Sequence, residues 1–278
     1  MKLEGITVLD LSLFLPGPAA TQIMADHGAR IIKVENPRAP EPTRSADAFP
    51  WQQGGETVMF RNTQRGKESI ALDLKTEAGK RALLALAKTV DVVVEAFRPG
   101  VAARLGIDYA ALSTDNPGLV YCSISAFGQT GPWCDRPAHD TATVAAAGIL
   151  DVTRSPEGTA GPAIIGVPIA DMLASNLALS GILMALLRRQ TTGQGDFVDI
   201  SMFESVLAAS PNIMGPVFGG DQAPERLKER THGGNAMLNV YETADAQYLA
   251  LGGGEHKFVT ALFEGLDRPE FIEAVTGT

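Results

Sequence analysis

ITVLDLSLFLPGPAATQIMADHGARIIKVE, residues 6–35, is the stretch on which the fold turns. Residues 6–14 form a short apolar run, the pattern of a buried strand. PGPAATQIMADHG follows, with proline near a helix start and Gly28 at its end. ARIIKVE is again strand-like. A strand, a helix and a second strand in this order make the unit from which parallel sheets are built. The pattern continues. ESIALDLK (68–75) reads as a strand, and EAGKRALLALAKTV places Leu83, Leu86, Ala87 and Val90 at helical spacing. DVVVEAF and GLVYCSISAFG read as two more strands. The first 130 residues therefore predict a Rossmann-like α/β sheet. Residues 36–60, rich in proline and polar groups, read as an irregular loop.

Farther along, GILDVT and the Gly/Pro-rich turn SPEGTAGPA lead to a long apolar helix, MLASNLALSGILMALLRRQ. TTGQGDFVDISMFESVLAAS reads as turn, strand and helix. NVYETADAQYLALGGGEHKF reads as a hairpin that runs into the helix FVTALFEGL. The expected division is a large domain over 1–215, a Gly- and charge-rich linker over 216–235, and the start of a smaller α/β domain over 236–278.

Bulk properties narrow the function. A net charge of -9 over 278 residues argues against a protein that neutralises nucleic-acid phosphates. The 45% hydrophobic and 20% charged composition fits a soluble globular chain. The apolar N-terminal stretch is interrupted by Asp10 and closed by Pro-Gly-Pro, so it reads as a strand and not as a signal peptide. The apolar segment around 177–187 is short for a bilayer span and runs into Arg188 and Arg189. The expectation is a cytoplasmic protein without a membrane partner. Cys122 and Cys134 form no CxxC pair and no metal-ligand spacing, so no metal is expected. No GxGxxG follows the first strand, and no Walker motif occurs, so a standard nucleotide site is not supported.

RPAHD, residues 136–140, sets one of only 4 histidines beside a carboxylate at the mouth of an expected helix. Read alone, Asp140 is a helix cap for the Thr-Ala-Thr-Val run, and Asp171 is a cap for the long apolar helix. His139 alone is a hydrogen-bonded structural histidine.

Several segments taken together change that reading. ADHGARIIKVENP, ESIALDLKTEAGKRALLAL, DVVVEAFRPGVAARLGIDYAAL, NPGLVYCSISAFGQTGP and TTGQGDFVDISMFES occur in an order that resembles the class III, formyl-CoA:oxalate type, CoA-transferase superfamily, which also contains α-methylacyl-CoA racemases. The resemblance covers nearly the whole chain. It implies a Rossmann-like large domain joined to a small one, two subunits interlocked as chain links, and a coenzyme A thioester as substrate, with no prosthetic group. Family chains usually run on past residue 278, in a segment that returns from the small domain to the large one. The homodimer is therefore expected only if the chain is complete, and an inactive CoA-binding fragment is a third reading.

Carried over by motif, Arg38 would contact the CoA phosphates. Leu74 and Lys75 would line the adenine end with Phe97, Arg98 and Arg104. Arginine suits phosphate because its guanidinium offers several donors in fixed geometry. In the transferase branch the resemblance makes Asp140 a nucleophile that attacks the thioester to form a mixed anhydride. In the racemase branch the residue before it is histidine, as His139 is here. His139 and Asp171 would then serve opposite faces of the α-carbon in a 1,1-proton transfer, and Glu255 of LGGGEHKF would pair with His139. The His139–Glu255 combination points to the racemase branch. Ala138 and His256 depart from its usual pattern, which has glycine before the His-Asp pair and proline after the glutamate.

Overall fold

The computed structural model describes residues 1–153, 161–225, 228–231 and 233–276. Most of the SPEGTAGPA turn and His232, in the expected linker, lie outside the described residues. Two compact units are present: Met1–Val144 with Val167–Val206, and Ala145–Gly166 with Leu207–Thr278. The division thus falls earlier than the expected 215. It also gives the second unit an excursion, Ala145–Gly166, that no linear boundary in the sequence marks.

The first unit opens with β1 (Thr7–Asp10), α1 (Pro16–Asp26) and β2 (Arg30–Glu35), the anticipated strand–helix–strand. The 36–60 stretch is more ordered than its composition implies. It holds a 3₁₀ turn at Pro42–Arg44, a small hairpin of β3 (Gln52–Gln53) and β4 (Glu56–Thr57), and the start of α2 (Val58–Gln64). Next come β5 (Glu68–Ala71), α3 (Glu77–Ala87), β6 (Val92–Glu95), α4 (Val101–Leu105), α5 (Tyr109–Asp115) and β7 (Val120–Ser125). Thr76 caps α3 by accepting from the Gly79 N–H, and Leu83 and Ala87 face inward as their spacing requires. The short α6 (Asp140–Ala146) and α7 (Ile149–Val152) precede α8 (Ile169–Thr192), β8 (Asp196–Ser201) and α9 (Met202–Ala208).

Six parallel strands pair in the order β5-β2-β1-β6-β7-β8. The chain winds outward from β1 to β5, returns, and winds outward again from β6 to β8. The direction reverses between β1 and β6, where the carboxyl ends of the strands open a crevice. One side of the sheet packs Leu9, Ile32, Val34, Val93 and Leu119 against Leu83 and Ala87 of α3. Each of these leucine, isoleucine and valine side chains stabilises the fold by roughly 1.5–3 kcal/mol when fully buried. Helix α8 contacts α1, β7 and β8 through its small residues Ala170, Ala174, Ala178 and Ala185. At 24 residues it is longer than the apolar segment read from sequence, and by length and composition it could cross a membrane. Its packing on two strands of the central sheet marks it instead as a core helix of the α/β unit.

The second unit contains α10 (Pro211–Gly220), β9 (Val240–Glu242), β10 (Tyr248–Ala250), α11 (His256–Gly265) and α12 (Phe271–Thr276). The expected hairpin is antiparallel, with Leu249 opposite Tyr241. Helix α10 occupies residues 216–220 of the stretch expected to be linker. Pro211 at its first position starts it, and apolar Ile213 anchors it, so its glycines do not prevent the turn.

Gly17 is required by close approach. A Cβ there would collide with Cβ and Oγ of Ser12, pushing α1 off the loop that follows β1. Gly17→Ala is expected to cost at least about 2 kcal/mol, because the neighbour is a buried, hydrogen-bonded side chain with no room to yield. Urea denaturation of the variant checks this.

Candidate active site

The crevice at the β1/β6 reversal is a cleft of about 600 Å³. The loop after β1 supplies Leu13, Phe14, Leu15 and Pro16. The loop after β6 supplies Ala96, Phe97, Arg98 and Pro99, and the end of β7 supplies Ser125 and Ala126. Cys134, His139 and Asp171 complete one side. A smaller groove of about 200 Å³ is lined by Leu74, Lys75 and Leu72 and shares Leu13 and Phe97 with the cleft. The two cavities therefore adjoin across a common wall.

His139 is exposed and directly precedes α6, and its carbonyl accepts from the Thr143 N–H and hydroxyl, each at 3.0 Å. Its ring stands edge-on to Phe14, with centroids 5.8 Å apart and planes at 77°. Asp140 is the first residue of α6, yet its side chain does not cap that helix. Oδ1 reaches across to α8 and accepts from the N–H groups of Ala170 (2.7 Å) and Asp171 (3.2 Å). Pro168, at the N-cap of α8, has no side-chain acceptor, and Asp140 takes that role from 30 residues away. Neither aspartate caps the helix expected of it.

Asp171 lies in the first turn of α8 and lines the cleft; Asp140 does not line it. Burial raises the Asp171 pKa, the Asp140 charge adds to this, and the group is pushed up to about 7. One carboxylate is thus fixed by backbone donors while its neighbour is held near neutrality and faces the cavity.

The remaining expected residues divide. Phe97, Leu74 and Lys75 line the small groove, and Arg98 lines the cleft. Arg38 is 83% exposed at the side chain, with its Nε 3.7 Å from Asp73 Oδ2, so it stands at the groove's rim. Arg104 is exposed in the last turn of α4, and its neighbour Leu105 lines the groove. Glu255 belongs to the second unit, at the N-cap of α11, whereas His139, Asp140 and Asp171 come together in the first. Among the described residues no group of three or more His, Cys, Asp or Glu side chains could hold a metal ion.

Sequence reasoning missed two buried groups beside the cleft. Glu95, at the end of β6, accepts from the Phe97 N–H at 2.6 Å and so anchors the Phe97–Arg98 loop. Burial pushes its carboxyl up to about 7, against its hydrogen bonds to Ser123 and Phe97 and with help from Asp199. The second is a quartet, Asp10, Lys33, Glu41 and Lys67, all buried. Asp10 Oδ1 accepts from the Ser12 N–H (2.9 Å) and hydroxyl (2.5 Å), while Oδ2 takes Thr21 (2.7 Å) and Lys67 (3.0 Å). Burial alone would raise the Asp10 pKa, but Lys33, Lys67 and the two hydroxyls outweigh it and hold the group well below the usual carboxylate range. The signal was present as a charge inside each of two apolar strands, VLDL and RIIKVE.

The quartet continues into the loop after β1. Glu41 Oε1 accepts from the Phe14 N–H at 3.0 Å, and Phe14 has φ of 63°, a left-handed conformation in a bulky residue. That conformation costs on the order of 1–2 kcal/mol and persists where the surroundings enforce it.

Residues 3–276 match the model of CoA-transferase family III, and the chain belongs to that family. It is 37% identical over 267 residues to the acetyl-CoA:oxalate CoA-transferase of Acetobacter aceti, covering 96% of this chain and 67% of that protein. It is 33% identical to human alpha-methylacyl-CoA racemase, over 96% of this chain and 65% of the racemase. The crystal structure of a CAIB/BAIF family protein from Brucella suis superposes with a TM-score of 0.82 at 31% identity, covering 98% of this chain and 71% of that one. The large parallel sheet with a smaller domain is thus the fold of this family. The chain spans about two thirds of the length of these curated relatives. The expected lean toward the racemase branch is not supported, since the transferase carries the higher identity.

The carboxylate pair has a testable stability consequence. A pKa raised in the folded state favours the protonated form, so the stability associated with Asp171 is complete below about pH 4 and is lost as pH rises through 7. Asp171→Asn is expected to be more stable than the parent at pH 8, by about 1–3 kcal/mol, and indistinguishable from it near pH 3.5. Denaturation at both pH values reads the difference.

Proposed function

We propose that this chain is a CoA-transferase that moves CoA between carboxylic acids, with Asp171 carrying the covalent intermediates. The carrying observation is the division of labour between the two aspartates. Asp171 opens on the cleft with a carboxyl poised near pH 7, while Asp140 spends an oxygen on the α8 backbone. A nucleophile must reach its substrate, and Asp171 has that access. Asp140 becomes the positioning residue that fixes the backbone of Asp171. This differs from the role that the family resemblance gave Asp140.

In the proposed cycle an Asp171 oxygen attacks the thioester carbonyl, the C–S bond breaks, and CoA leaves as thiolate. The thiolate attacks the aspartyl carbonyl of the resulting mixed anhydride, freeing the donor carboxylate and leaving an aspartyl-CoA thioester. An acceptor carboxylate reverses both steps and restores Asp171. No net proton is consumed. The groove lined by Leu74, Lys75 and Phe97 would take the nucleotide end of CoA, with Arg38, Arg98 and Arg104 as candidates for its phosphates. An interlocked homodimer would be the working assembly.

A second reading is favoured by one observation: His139 lines the same cleft as Asp171. Two bases facing one cavity suit α-proton exchange.

Intact-protein mass spectrometry after mixing with an acyl-CoA separates the readings. The transferase predicts an aspartyl-CoA adduct, absent in Asp171→Asn and formed at least 10-fold more slowly in Asp140→Asn. Adduct formation should rise with pH through a midpoint near 7 as Asp171 ionises. An adduct that survives Asp171→Asn and vanishes in Asp140→Asn would return the nucleophile to Asp140. No adduct, with α-deuterium exchange in D₂O that is lost in His139→Ala, would establish the racemase.

A further inference from the structure

The buried quartet has no part in the proposed acyl transfer, yet it ends on the wall of the cleft. Lys33 donates to the Ser12 carbonyl, and its Nζ lies 3.1 Å from Glu41 Oε2, an ion pair by distance though without hydrogen-bond alignment. The other oxygen of Glu41 gathers the Phe14 N–H, the Thr43 N–H (3.3 Å) and the Thr43 hydroxyl (3.1 Å). Asp10 holds both the N–H and the hydroxyl of Ser12. The loop after β1 is therefore gripped at Ser12 by Asp10 and Lys33 and at Phe14 by Glu41.

Between these grips the backbone turns left-handed at Phe14; the residue is 43% exposed, and its ring stands edge-on to His139, lining the cleft. An unconstrained loop would release the strain and carry the ring away from the cavity. A large aromatic held here against its backbone preference narrows the reacting end, near Asp171, and not the groove of Leu74 and Lys75 that it does not line.

We propose that Phe14 is a specificity-determining wall that limits the bulk of the acyl group, and that Glu41 is the positioning residue that holds it there. This rests on the reading of the cleft as an acyl-CoA site. The substrate class that follows is thioesters of small, unbranched acids, with branching beside the carbonyl excluded by the ring.

The test compares acetyl-CoA with 2-methylbutanoyl-CoA as donors, and the corresponding unreactive thioether analogues as ligands in calorimetry. Phe14→Ala is expected to shift the kcat/KM ratio at least 10-fold toward the branched donor, and the analogue Kd ratio in the same direction, while the Kd of CoA itself stays within threefold. Glu41→Ala should shift both ratios the same way and move the His139 ring proton resonance, which lies beside the Phe14 ring. On the Phe14→Ala background Glu41→Ala should add less than twofold. If Glu41→Ala does not fold because Lys33 is left unpaired, the charge-free pair Lys33→Met with Glu41→Leu removes the same contact and carries the same expectations. A ratio unchanged within twofold in Phe14→Ala, or a Glu41 effect that persists undiminished without Phe14, overturns the proposal. Absence of acyl turnover with the analogue ratio still shifted by Phe14→Ala would overturn the transferase reading and leave this one standing.

Discussion

Four buried charges on β1, β2 and the segments that follow β2 and precede β5 set the geometry on which the cleft depends. Asp10 and Glu41 balance Lys33 and Lys67, so the group is neutral as a whole. Each charge alone would be costly in this interior, and removing one partner from such a set costs about 3–5 kcal/mol. What the arrangement secures is direction. Asp10 draws in Ser12, Thr21 and Lys67, which ties the loop after β1 to the first turns of α1 and to the approach to β5. Glu41 draws the 36–60 segment inward and fixes Phe14. Burial lowers the Lys67 pKa, and the same Asp10 contact that orders the loop opposes that shift.

A second electrostatic arrangement lies on the far side of the crevice. Asp140 satisfies the backbone donors that Pro168 leaves open at the start of α8, and this holds its carboxyl group beside Asp171. The cost falls on Asp171, whose ionisation is opposed by burial and by that neighbour. Two like groups, on the first turns of two different helices, are thereby made unlike: one is spent on the α8 backbone, the other titrates near neutrality and faces the cavity. Separation of paired carboxylates by environment is a recurring way to obtain a reactive group at neutral pH.

Between these two arrangements runs the reversal of the sheet between β1 and β6. Loops from both halves diverge there, which opens a cavity at the carboxyl ends of the strands. Glu95 reinforces it from below by holding the Phe97 N–H, and Phe97 is the wall common to cleft and groove.

The strand and helix pattern of the first unit was readable from residues 6–35 onward, because burying both faces of a parallel sheet demands apolar runs and the helices between them repeat every 3.6 residues. Leu83 and Ala87 point inward for that reason. His139, Asp140 and Asp171 were singled out by motif, and they do meet. Their division of roles was not readable, since Asp140 caps α8 across 30 residues and no local pattern records a cap supplied by another helix. The 36–60 segment misled for a related reason. Its composition is that of a solvated loop, yet Glu41 and Thr43 are buried, because lysines on a strand and on the approach to β5 supply the counter-charges that make burial tolerable. Local periodicity and turn chemistry are properties of neighbours in the chain, and these the sequence determines. Which charge meets which, which helix end is left open, and which carboxylate faces the cavity depend on partners tens of residues away, and only the tertiary structure decided them.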